Sequence, residues 1–333
     1  MADWSALPTY RIAANQGRQL VPEYWEAEII PEAMENLRFM DLARPFPRPG
    51  VGKGEIYHIP LGGTMNDAGT LAQGTKIPVD STAGIRGVNG TMKEAGRGVA
   101  IERRLLDLAP SDPQNAHYRF EMSRNINRYI DGILRDAAYG ATTDRVNGGT
   151  FGRSGGSFFV FGTYANGKMN ADVVAIVAER LSNNNVPEFP EGGWKMIMHT
   201  FQFSDLMRDA TAVSGFIPLV QYTEKGVEKL FKNEVGMLHN IRIVQSTNIR
   251  GTLEQASTGT VQTARAVAAG FGGLGFVTGK MPEIYYDPDY EKDFGRVQAL
   301  AWDANLDAIK LKDAYIIPVQ TTVKENITGN GIA

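Results

Sequence analysis

Twelve glycines fall within the 49 positions from Gly50 to Gly98, whereas the other 25 of the chain's 37 glycines are spread over 284 residues. Glycine loses more backbone freedom on ordering than any other residue and brings no side chain to bury in return. A stretch this rich in it does not make a core of its own. Its two ends nevertheless carry strand-like runs, Glu55-Ile-Tyr-His-Ile-Pro60 and Met92 to Ile101, as though two strands leave the body and return. An isolated two-stranded ribbon is marginal in water. The segment is therefore expected to be either a projecting loop that orders against another molecule or a mobile surface insertion.

Before this segment, Pro8, Pro22, Pro31, Pro45, Pro47 and Pro49 punctuate the chain and predict an extended arm, with one short amphipathic helix between Pro22 and Phe39. After it, Ser111-Asp-Pro113 is a helix start, and Ile126, Ile130, Ile133, Leu134 and Ala137 continue at helical spacing to a stop at Gly140. The resulting helix is roughly 27 residues and roughly 40 Å long. Residues 146–168 read as a glycine-rich loop or ragged hairpin. Asn170 then caps a helix through Leu181 that buries Val173, Val174 and Val177. Further on, Trp194–Met198 and Met237–Ser246 read as strands, and Ser204–Val213 and Thr223–Asn233 as short helices. Val261–Ala269 reads as helix and Phe276–Tyr286 as extended. Arg296–Trp302 and Ala314–Val323 read as two strands paired with each other. Helices and strands are mixed without regular alternation, so the class is α+β.

The 333 residues include no cysteine, which excludes disulfide scaffolds, thiolate metal sites and cysteine nucleophiles. A balance of 34 basic against 37 acidic residues argues against a protein that grips nucleic acid along a basic face. No apolar run approaches the ~20 residues of a membrane helix and no basic segment leads into one, so neither spanning nor secretion is expected. Gly270-Phe-Gly-Gly-Leu-Gly275 fits the dinucleotide-phosphate pattern, but that motif works between a strand and a helix, and the expected flanks here are the reverse. A plain glycine-rich turn is the expectation. Asp293-Phe-Gly295 matches the magnesium triplet of protein kinases without the other kinase motifs. His58, His117, His199 and His239 are scattered and predict no metal site. No catalytic residue and no cofactor are expected. Lys93, Arg97, Arg103 and Arg104 form the densest basic cluster, close in sequence to Glu94, Glu102 and Asp107. It is either a solvated, acid-paired face or a surface that contacts neighbouring subunits.

The order of these features, arm, glycine-rich two-stranded excursion, long helix, α+β domain and returning strands, resembles the major capsid proteins of tailed double-stranded-DNA bacteriophages, the Hong Kong 97-type coat fold. More narrowly it resembles the coat-protein family of the podovirus N-four and its relatives. The stretches that carry the likeness are Gly54–Pro60, Val88-Asn-Gly-Thr-Met-Lys-Glu-Ala-Gly-Arg-Gly-Val99, Trp194–Asp205, Phe231–Gly236 running into Ile241-Arg-Ile-Val244, and Asp293–Arg296 with Ala301-Trp302.

The resemblance implies an N-terminal arm over residues 1–51, an extended β-hairpin loop over 52–98, a peripheral domain with the long spine helix over 99–170 and 296–333, and an axial domain over 171–295. It implies a non-enzymatic subunit of an icosahedral head that assembles with itself into hexamers and pentamers. Such a shell is built in the bacterial cytoplasm, resides in the virion and encloses double-stranded DNA without sequence specificity. Portal, scaffolding and decoration proteins are the other implied partners, with no membrane. Subunit contacts are expected at Glu55, Lys76, Arg86, Lys93, Glu94, Arg97, Arg103 and Arg104. The ordering entropy of the loop would be offset by pairing between subunits, so stability would belong to the shell. Covalent crosslinking through Lys53, Lys76 or Lys93 is not expected. A nanocompartment shell of the same fold and a soluble enzyme that binds a nucleotide at Gly270–Gly275 are the alternatives.

Overall fold

The period-two pattern at the start of the glycine-rich segment folds as the sequence predicts. β2, Ile56–Leu61, follows the short β1, Ala43–Phe46, and buries only Tyr57 and Ile59 on alternate positions. It pairs antiparallel with β3, Arg86–Thr91, from Ile56 opposite Thr91 to Leu61 opposite Arg86. The expected second strand of the excursion, Met92 to Ile101, does not pair with β2: β4, Lys93–Glu102, runs on into a different sheet, and Arg86–Thr91 takes its place in the ribbon. The computed structural model describes residues 37–46, 56–63, 70–71, 73–74, 76–77, 86–104, 117–147, 167–208, 234–249, 251–256, 259–292 and 294–323. Two units partition the chain. One takes Met1–Ala33, Val99–Glu121 and Tyr286–Leu300, and the other Met34–Gly98, Met122–Tyr285 and Ala301–Ala333.

The long helix α1, Arg119–Tyr139, ends where Gly140 was expected to stop it. Its last carbonyls and the following amides are capped from one short turn. Lys310 Nζ donates to the Gly140 carbonyl at 2.6 Å, and the Asp313 carboxylate accepts from the Thr142 and Thr143 amides at 2.9 and 2.7 Å. The expected isoleucine stripe of α1 is only half-buried. The buried stripe holds Met122, Leu134 and Ala138 together with Asp131 and Arg135. Asp131 is satisfied there by the Phe39 amide and by Asn248 Nδ2, each at 2.7 Å, and Arg135 donates to Asn248. Burial pushes the Asp131 carboxyl above its ordinary range, and the hydrogen bonds offset part of that shift.

After β5, Val146–Asn147, helix α2 spans Ala171–Asn183, with Asn170 Oδ1 accepting from the Val173 amide at 3.0 Å as a capping residue does. β6 covers Trp194–Met198 as predicted. Helix α3, Thr200–Arg208, starts earlier than the expected Ser204, because His199 caps it. His199 Nδ1 accepts from the Phe201 amide while Gln202 Oε1 accepts from the His199 amide at 3.0 Å, a capping box. The expected strand Met237–Ser246 is a hairpin, β7, Glu234–Leu238, and β8, Ile241–Gln245, turning at His239 and Asn240, both at positive φ. The expected helix over Thr223–Asn233, the N-terminal helix expected between Pro22 and Phe39, up to residue 36, and the start of α1 at Ser111 lie outside the described residues.

β9, Gly251–Ala256, and β10, Gly259–Ala269, lead to β11, Leu274–Asp287, β12, Val297–Lys310, and β13, Ile316–Thr322. The extended β11 agrees with expectation; β10 does not, since Val261–Ala269 was expected as helix. Its alanines favour helix in isolation, but Ala264, Ala266 and Ala268 are fully buried in a central strand paired with β13 on one side and β6 on the other. The second correction concerns the last two strands, which do not pair with each other. β12 lies between β11 and β4 in a four-stranded sheet ordered β1-β11-β12-β4. β13 lies beside β10 in a seven-stranded sheet ordered β5-β13-β10-β6-β8-β7, with β9 also on β10. The turn Leu311–Tyr315 sends the chain from one sheet to the other. The seven-stranded sheet thus draws on segments on both sides of the expected residue 170/171 and 295/296 boundaries.

The main core lies where α2 covers this second sheet. Val173, Val174, Val177 and Leu181 pack with Met196, Met198, Ile241, Ile243, Ala266, Ile317 and Val319. Each fully buried side chain of this size contributes about 1.5–3 kcal/mol. Gln202 fixes α3 to the same sheet, donating to the Ala264 carbonyl at 3.1 Å and to Thr321 Oγ1 at 2.7 Å.

Candidate subunit-contact surface

The β2–β3 ribbon stands on one small mount. Tyr57 and Ile59 pack with Val277 and Leu311, and Tyr57 Oη donates to Asp307 Oδ2 at 2.6 Å. Burial raises the Tyr57 phenol well above its usual range, and the Asp307 hydrogen bond and charge add to the rise. The ring reaches Asp307 by crossing β3 at Gly90, where a Cβ would overlap the phenol. On the ribbon's open face, His58 Nδ1 lies 2.6 Å from Asn89 Oδ1.

The expected contact residues distribute around this ribbon and strand. Lys76 and Arg86 are exposed, Arg86 at the first position of β3. Lys93, Glu94 and Arg97 are exposed on β4, an edge strand of the four-stranded sheet. Arg103 and Arg104 follow β4 and are also exposed. Glu55 lies outside the described residues. Glu94 and Arg97 are brought together with α1: they line an open groove of about 600 Å³ with Asn125, Arg128, Asp136 and Trp302. Trp302 Nε1 donates to Asn125 Oδ1 at 3.1 Å and fixes the groove floor. Gly96 brings β4 close to β12, since a Cβ there would come within 2.6 Å of the Trp302 carbonyl oxygen.

The motifs that suggested chemistry take structural places. Gly270–Gly275 joins β10 to β11, two strands, and its amides are already engaged. Gly270 N–H donates to the Tyr315 carbonyl, Phe271 N–H to Pro187 and Gly273 N–H to Gly270, so they form no phosphate cradle. At Gly270 a Cβ would collide with Val186 and the Pro187 carbonyl, which accounts for glycine there. Asp293 lies outside the described residues, and Phe294 beside it is 96% exposed in a surface turn. His199 is buried and capping, with burial pulling its pKa down to about 4. His239 occupies the β7–β8 turn, and His117 stacks edge-on against Tyr118. Among the described residues no group of three or more histidine, aspartate or glutamate side chains could hold a metal, and no helix is long and apolar enough to cross a membrane.

Sequence reasoning missed Tyr57, Gly90 and Asp307 as the ribbon's mount. A glycine inside an otherwise alternating strand marks a close approach of another group, and Gly90 carried that signal. It also missed the exposed aromatic run Tyr285, Tyr286, Tyr290 and Phe294.

No known protein-family model matches the chain, and no curated protein does. Solved structures do. The capsid asymmetric unit of cyanophage Pam1 superposes with a TM-score of 0.72 over 98% of this chain and 100% of that one, at 13% identity. The capsid of cyanophage P-SCSP1u gives 0.65 over 91% and 93% at 14% identity, and the capsid of Ralstonia phage GP4 gives 0.64 over 94% and 98% at 14%. The chain has the phage capsid-subunit fold. This is the α+β, Hong Kong 97-type fold that the order of segments implied.

Proposed function

We propose that this chain is the structural subunit of an icosahedral bacteriophage head, assembling with itself into hexamers and pentamers that enclose double-stranded DNA. The observation that carries the reading is the end-to-end likeness to the Pam1 capsid chain, 98% of one and 100% of the other. The non-enzymatic role rests on the same likeness. The virion is then its place, and portal, scaffolding and decoration proteins and the inner-face DNA are its partners. Residues 1–51 serve as the arm, 52–98 as the loop that reaches an adjacent subunit, 99–170 with 296–333 as the peripheral domain and 171–295 as the axial domain, whose sheet is completed by β5 and β13 from the flanking segments. Lys76, Arg86, Lys93, Glu94, Arg97, Arg103 and Arg104, with Glu55, are the contact residues. The exposed ribbon and edge strand β4 support that assignment, because unpaired strand edges associate readily.

Electron microscopy of the expressed protein, with size-exclusion chromatography beside it, tests the proposal. Capsomers, closed shells or tubes are expected, and their diameter and DNA content distinguish a phage head from a cargo-loaded compartment. A monodisperse monomer at every concentration and salt tried, alone and with its phage's other head proteins, would overturn it.

A further inference from the structure

The unit that holds Val99–Glu121 and Tyr286–Leu300 presents a surface with both halves of a contact. Tyr286, Tyr290 and Phe294 are 47%, 59% and 96% exposed in and beside the turn that joins β11 to β12. Such large aromatic surface is ordinarily covered in a stable assembly. The turn is nonetheless held in one shape. Tyr290 N–H donates to the Val297 carbonyl at 3.1 Å, Gly295 N–H to Asp289 Oδ1 at 2.9 Å, and Asp289 N–H to Asp287 Oδ1 at 3.0 Å. Within it Lys292 and Phe294 adopt positive φ, 57° and 51°, a conformation disfavoured for side chains of this size. Hydrogen bonds thus fix a strained turn whose most apolar ring faces solvent.

Exposed carboxylates flank these rings at Asp287 and Glu291. The same unit carries the exposed Arg103 and Arg104, and the Arg103 amide donates to the Arg296 carbonyl at 2.8 Å, which seats Arg103 beside the end of this turn where β12 begins. Among the described residues no ion pair joins either guanidinium to Asp287 or Glu291. Aromatic rings and arginines are the side chains that dominate stable protein contacts, and guanidinium groups both pair with carboxylates and stack on aromatic faces.

We infer that this surface is a head-to-tail contact between copies of this chain, in which the aromatic, acidic turn Tyr286–Phe294 of one copy lies on Arg103 and Arg104 of the next. The occupant is a second copy because the charges that one half requires are supplied by the other half of the same unit. A contact between two different patches of one surface is heterologous, and it generates a ring wherever its rotation closes. The inference rests on the assembly reading above and names the partner of Arg103 and Arg104 within it.

Charge-reversal complementation on the full chain tests it. The double variants R103E/R104E and D287K/E291K are each expected to lose at least tenfold in shell yield by chromatography and microscopy, and the quadruple variant is expected to recover most of it. E291K alone and F294A are expected to reduce yield with unchanged far-UV circular dichroism; they guard against a double variant that fails to fold, since neither removes a hydrogen bond of the turn. Assembly of the wild type is expected to weaken with added salt. Normal shells from both double variants, or a quadruple variant as impaired as either, would remove this contact and leave the assembly reading standing. A wild type that never assembles removes both.

Discussion

A buried histidine makes the stability of this chain depend on acid in a defined direction. His199 accepts the Phe201 amide through Nδ1, which requires the neutral ring, and burial holds its pKa near 4 against an ordinary value of 6.5. The unfolded chain therefore binds the proton first. The contribution of His199 to stability is complete above pH 6.5 and is lost as the pH falls from 6.5 through 4, amounting to about 3 kcal/mol below that point. The variant H199N keeps a capping side chain without a titration. Its stability relative to wild type should rise as the pH is lowered from 7.5 to 4.5, read by urea unfolding at each pH. A constant difference across that range would mean that His199 titrates normally. Tyr57 gives a second residue-scale expectation. Y57F preserves the ring over Gly90 and leaves the part-buried Asp307 carboxylate without its donor, so it should cost about 1–3 kcal/mol in the same measurement. An unchanged midpoint would show that water replaces the phenol without penalty.

Among the elements, those with a local signal were legible and those set by distant packing were not. Asn170 and the valine spacing after it specify α2 because a cap and an apolar face are local properties, and Trp194–Met198 is a short apolar run broken only by Lys195 and buried at four of its five positions as β6. The alanine-rich β10 has no such signal. It is a strand because β13 and β6 lie on either side of it and α2 packs above Ala266 and Ala268, partners far away in sequence. The same holds for α3: its true cap, His199, is a residue that propensity does not favour at that position. In the candidate contact surface the basic residues of β4 were legible from composition. The Tyr57–Asp307 mount joins residues 250 apart, and only Gly90 announced it. The importance of α2 is directly measurable. L181A deletes a fully buried side chain from the centre of the core and is expected to cost about 2–5 kcal/mol. A loss under 1 kcal/mol would mean that α2 is not integral to that core.

For the whole molecule, the extended segment contrasts with the rest of the chain in what it offers its own core. β2 contributes only Tyr57 and Ile59 to burial and β3 contributes no buried residue, whereas β13 is buried along its full length. The chain's own core thus gains little from β2 and β3 beyond the ribbon's mount, and on the proposed assembly the return for ordering a glycine-rich loop comes from neighbouring subunits. The pairing of Leu61 with Arg86 allows this to be tested without disturbing the mount. Deleting residues 64–85 leaves Gly62-Gly63 as a two-residue turn between paired positions, the length and composition that hairpins prefer. The shortened chain should melt within about 2 °C of the unassembled wild type, because every described residue of the deleted segment is exposed and a change of less than about 1 kcal/mol is then expected. It should also fail to form closed shells under conditions where the wild type does. A melting point lowered by more than about 5 °C would place the loop in the chain's own core, and normal shells from the shortened chain would show that neighbouring subunits do not need it.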